Sequence, residues 1–160
     1  MKKFFLLLAF TALFFPCIAQ LEEIKEKPEW TTIGELKWMG LTKAQLAYTA
    51  QGKDTSYWLF LKDETILKNS NGSSVYKHYS IHFNGSGNAL ENLKILLFSF
   101  FEKENLKNKE YDKTFRLGTA TVFVQHYRKL TANGIMFSSK EGHTVFNKRE
   151  LTKLFGKAGD

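Results

Sequence analysis

"TSYWLFLK", residues 55–62, decides how this chain folds. Read as a strand, it puts Tyr57, Leu59 and Leu61 on one side and Trp58 and Phe60 on the other, because successive side chains of a strand alternate. Both sides are apolar. One can rest on the protein's own core. The other needs a cover: a C-terminal helix through Leu151, Leu154 and Phe155, a second copy of the chain, or a ligand.

Working outward, residues 44–51 (AQLAYTAQ) are a β-rich run joined to this strand by a short Gly-containing turn, so the pair reads as a hairpin. Further upstream, Trp30, Thr32, Leu36 and Trp38 share one parity, as in a half-buried strand. Downstream, residues 70–74 (SNGSS) form a loop. The strand at 76–83 then sets Tyr79, Ile81 and Phe83 against Tyr76, His78, Ser80 and His82.

Asn88-Ala-Leu-Glu91 has the pattern of a capping box, in which each end of the motif satisfies a backbone N–H of the other. The helix it opens runs from Ala89 to about Lys103 and aligns Leu90, Leu93, Leu97, Phe100 and Phe101 on one stripe. Beyond it, residues 115–127 (FRLGTATVFVQHY) read as one long strand. Asn133-Gly134 reads as a hairpin turn, since both residues tolerate positive φ. Two short strands follow across Glu141-Gly142. Asn147 to Glu150 repeats the capping pattern before a last helix that Gly156 ends. The expected fold is α+β: an antiparallel meander sheet packed by one long amphipathic helix, with a short C-terminal helix. The order β-β-β-β-α-β-β-β-α also resembles two halves, each a meander followed by a helix.

The N-terminus carries Lys2 and Lys3 ahead of a twelve-residue apolar run, Phe4 to Phe15, followed by Cys17-Ile18-Ala19. This reads as a signal peptide over residues 1–19, cut after Ala19, and the run is too short to span a bilayer. Pro16 and Phe14 do not fit a lipoprotein signal around Cys17. Residues 20–28 are a charged tether, and residues 29–160 a single domain of ordinary size. Cys17 is the sole cysteine, so the exported chain has neither disulfides nor thiol chemistry.

The formal net charge of +7 includes Lys2 and Lys3 and is otherwise dispersed among acids. No groove-reading motif accompanies it, so no nucleic-acid partner is expected. His78 and His82 would lie about 13 Å apart on a strand, too far to share a metal. Asp54, Asp63, Glu64 and Asp112 read as solvated turn residues. No residue pattern calls for a metal or a cofactor, and the 84–88 loop (NGSGN) lacks the spacing of a nucleophile elbow. The expectation is a non-catalytic module of the periplasm or extracellular space, binding another protein in the manner of an interaction or inhibitor domain. A carbohydrate- or lipid-binding domain comes next, and a small hydrolase after it. Trp58, Phe60 and Tyr57 are the candidate contact residues, for a protein partner, an envelope glycan or a second copy.

Overall fold

The structure, a computed structural model, describes residues 29–51, 54–129 and 132–156. The signal peptide and the tether lie outside them, as do residues 52–53 of the first predicted turn. Among the described residues, no helix is long and apolar enough to cross a membrane.

Two four-stranded antiparallel meanders make up the fold, rather than one sheet under a helix. The first is β1 (Thr31–Trp38), β2 (Leu41–Gln51), β3 (Asp54–Lys68) and β4 (Ser74–Asn84); the second is β5 (Asp112–Leu117), β6 (Ala120–Lys129), β7 (Ala132–Ser139) and β8 (Gly142–Phe146). A short 3-10 turn, α1 (Ala89–Ser99) and α2 (Lys103–Lys107) link them, and α3 (Lys148–Leu154) follows the second. One apolar core unites the parts. It takes Leu46, Leu59, Leu61, Ile81 and Phe83 from the first sheet, Val122, Val124, Ile135 and Phe137 from the second, and Leu93, Leu97, Leu151 and Leu154 from the helices.

The predicted long helix is two helices. Its stripe is real: Leu93, Leu97 and Phe100 are buried, with Leu90 and Phe101 packed beside them. The last turn tightens, however, through Phe101 N–H to the Phe98 carbonyl and Glu102 N–H to the Ser99 carbonyl. Glu102 then turns extended, and the Asn105 side chain donates to the Ser99 carbonyl at 2.8 Å. This stop drops Phe100 fully into the core, edge-on to Tyr111 and His126. The two predicted capping boxes also part ways. At Asn147 both reciprocal bonds with Glu150 form at 2.9 Å. Asn88 instead sits in the left-handed region without a side-chain cap, and Asn92 donates to the Gly87 carbonyl.

The second sheet corrects two further expectations. The predicted strand at 115–127 breaks at Gly118-Thr119 into β5 and β6, with Leu117 facing Ala120. Gly118 has φ +58°, and a Cβ there would strike the His82 carbonyl, so the turn is both left-handed and pressed against β4. Asn133-Gly134 is not the turn. Both lie within β7, opposite Arg128 and Tyr127, and the strands reverse between Lys129 and Ala132. Gly134 is small for packing: a Cβ would approach the Phe146 carbonyl to 2.8 Å. Strand β1 departs from simple alternation as well. Register shifts at Thr32/Gly34 and Leu36/Lys37 leave Leu36 buried while Trp30 and Trp38 stay exposed.

Candidate binding face

The inner side of the first sheet is consumed by the core, and the aromatic surplus gathers on its outer side. Across β2, β3 and β4, Ala47 pairs with Trp58 and Trp58 with His82, while Gln45 pairs with Phe60 and Phe60 with Ser80. Strand alternation therefore brings Trp58, Phe60, His78 and His82 to one surface. Trp30 joins them from just ahead of β1, its ring 6.0 Å from Trp58 and 6.1 Å from His82. Phe60 stacks on His78 at 4.9 Å and 10°, and Trp58 on His82 at 6.3 Å and 20°. Offset stacks of this kind stabilise the rings against one another by about 0.5–1.5 kcal/mol per pair. Trp58 and Phe60 are half-buried, and His78, Ser80 and His82 are exposed.

Helix α3 does not provide the cover weighed for Trp58 and Phe60. Its Leu151 and Leu154 belong to the core on the inner side, and its C-terminal carbonyls press on β1 at Gly34, where a Cβ would collide with them. Tyr57 is separated from its two neighbours. It packs inward, stacked on Phe83 at 5.1 Å, so the candidate trio splits between the two sides of β3.

At the Trp30 end the row opens into a groove of about 570 Å³. Its walls are Trp30, Thr49, Ser56, His82, Phe83, Asn84 and the Gly118-Thr119 turn. These residues offer hydroxyls, an amide and rings but no Asp, Glu, Lys or Arg.

The opposite end is charged. Beyond Lys62 the β3–β4 register slips, so that Asp63, Glu64 and Thr65 together face a single residue, Lys77. A bulge of this kind re-aims side chains. It turns Asp63 inward to 5% exposure, against the reading of a solvated turn acid. There its carboxylate accepts the backbone N–H groups of Thr65 at 3.0 Å and His143 at 3.3 Å. Burial pushes the Asp63 carboxyl up, but those two N–H groups, the Thr65 side chain and the His143 charge together outweigh it and hold it below the usual Asp range. Beside it Tyr79 donates to the Thr144 hydroxyl, which donates to the Lys62 carbonyl at 2.6 Å. Burial pushes the Tyr79 phenol well above its ordinary range. This polar seam fastens β3 to β8, and so one sheet to the other.

Lys62 itself is 4% exposed. Its ammonium sits 4.6 Å above Trp38, 4.2 Å above Tyr76 and 3.8 Å from Glu64. Cation–π contact replaces part of the lost hydration. Lys62, Glu64, His143 and the Lys43–Glu150 ion pair (2.7 Å) line a cleft of about 620 Å³. Each charge there already faces an opposite one. Sequence reasoning missed Trp30, His78 and His82 as companions of Trp58. Parity placed the histidines outward, but only the strand register shows whose rings they meet. Comparison with protein-family models, with curated proteins and with solved structures finds no match for this chain.

Proposed function

We propose that this protein is an exported, non-catalytic binding module that takes a glycan along the outer side of its first sheet. The observation that carries the reading is the continuous row Trp30, Trp58, His82, Phe60 and His78, opening into an uncharged polar groove. A sugar ring has C–H-rich faces and a rim of hydroxyls. Aromatic faces cover the first without demanding hydrogen bonds, and neutral groups such as Thr49, Ser56, Asn84 and Thr119 pair with the second. A protein partner would need roughly 1,000 Å² or more of well-matched surface, which a shallow groove beside a ring row does not favour.

Titration with neutral chito-, cello- and malto-oligosaccharides, followed by tryptophan fluorescence and calorimetry, tests this. Saturable binding is expected, weakened about tenfold in Trp58→Ala, because an aromatic contact contributes on the order of 1 kcal/mol and 1.4 kcal/mol is a factor of ten. An Asn84→Ala variant should weaken binding less and leave the fold intact. Absence of saturable binding across the panel, or equal affinity in Trp58→Ala, would overturn the assignment.

A further inference from the structure

Antiparallel connection puts the β1–β2 and β3–β4 turns at the same end of the first sheet. The β3–β4 arm reaches furthest: β3 runs seven residues past Leu61, the last residue of that end paired with β2. A side chain built at Gly40 or Gly72, in the two turns, would meet nothing within 4 Å. Both tips project into open space.

Eight large hydrophobic residues are exposed among the described residues, and six lie on these tips: Trp38, Met39, Leu41, Ile66, Leu67 and Val75. Met39 is 83% exposed. None belongs to the core. Single exposed apolar residues need no explanation, but six gathered on two adjacent hairpins do: Trp38 and Ile66 share the Tyr76 side of the β3–β4 arm, with Trp38 edge-on to Tyr76 at 5.6 Å, and Leu67 and Val75 pair on its other side. The charge around them is mixed but leans positive: Glu35 pairs with Lys37 at 3.2 Å, and Glu64 lies 3.8 Å from Lys62. Residues 37–43 and 66–77 contain Lys37, Lys43, Lys68 and Lys77 and no acid. Lys43 turns back to Glu150 and Lys77 donates to the Glu141 carbonyl at 2.9 Å, while exposed Lys68 lies beside the apolar residues.

We propose that these two tips dock onto an anionic lipid bilayer. Met39, Leu41, Ile66 and Leu67 enter the headgroup boundary, Trp38 lies at its polar edge, and the lysine stems reach along the surface to lipid phosphates. Such docking is peripheral and requires no spanning helix. Two projecting apolar tips with an excess of lysine fit a soft anionic bilayer better than the surface of another copy. The inference stands apart from the glycan reading, because the groove at Trp30 lies at the opposite end of the sheet.

Sedimentation with vesicles of phosphatidylcholine, alone or mixed with phosphatidylglycerol, tests it on residues 20–160, which hold every described contact. The chain should co-sediment with the mixed vesicles, less so at high salt, and its tryptophan emission should shift to the blue. Trp38→Phe should remove most of that shift. Met39→Asp with Leu67→Asp should cut partitioning about tenfold or more at unchanged melting temperature, since all of the altered surface is exposed. Lys68→Glu should weaken binding to the mixed vesicles only. Failure to bind mixed vesicles, or binding indifferent to the tip variants, overturns the proposal. So does a wild-type dimer that ignores vesicles and becomes monomeric in the tip double variant, which would make the patch a contact between copies.

Discussion

Phe60 and Leu61 are consecutive residues of one strand, both apolar, and they meet opposite fates. Leu61 faces the second sheet and the helices and is completely buried. Phe60 faces outward, half-buried, and its close partner is a histidine ring. The inner side of the sheet is aliphatic with Tyr57, Tyr79 and Phe83, fitted to a core shared with the second sheet and with α1 and α3. The outer side is Trp, Phe and His, residues whose flat rings cover one another. Burial by packing and burial by mutual stacking therefore coexist across the thickness of a single sheet. The first holds the fold; the second leaves ring surface exposed.

The sharpest way to break this contrast is to truncate one side of β3 at a time. Leu61→Ala should cost about 2–5 kcal/mol in urea unfolding, and Phe100→Ala in α1 about 3–5 kcal/mol, because each leaves a cavity that a close-packed interior fills poorly. Phe60→Ala should cost about 1 kcal/mol. Comparable losses at positions 60 and 61 would show that the outer side is covered as the inner one is.

The seam sharpens the comparison at its polar margin. Asp63→Ala should cost about 1–3 kcal/mol, since it strands the N–H groups of Thr65 and His143. Its pH signature has a definite sign. Folding holds the Asp63 carboxyl below its ordinary value of about 3.9, so folding favours the ionised form. The stabilisation is complete above that value and fades as pH falls through the lower folded value. Asp63→Asn should flatten this part of the acid stability curve and leave the neutral region level. An unchanged acid slope would remove Asp63 from the seam's account.

A change in stability as small as that at Phe60 is expected at Trp58. Trp58→Ser should lower stability by about 1 kcal/mol while abolishing most oligosaccharide binding, because its ring contacts are with Trp30, Phe60 and His82 on the outer side. A loss of several kcal/mol without a binding defect would move Trp58 into the core and erase the distinction between the sides.

Alternation and helical spacing are local properties, and they were legible in the residues themselves. The two sides of β3 and β4 and the Leu93–Leu97–Phe100 stripe follow from spacing alone, whereas the same capping spacing at Asn88 and Asn147 closes a box only at Asn147. Features that depend on a distant partner were not legible. Gly118 passed as an interior residue of one long strand because the His82 carbonyl that demands a glycine there lies on another sheet. Asn133-Gly134 carried every local sign of a turn, yet the close approach of the Phe146 carbonyl claimed Gly134 for the interior of β7. Asp63 looked solvated because the bulge that buries it, and the β8 N–H it accepts, appear only in register. The meeting of Trp30, Trp58 and His82 likewise awaited the pairing of strands far apart in the chain. Period and propensity are short-ranged and written in neighbouring residues, whereas register, bulges and close backbone approach are set by whichever element packs across the core.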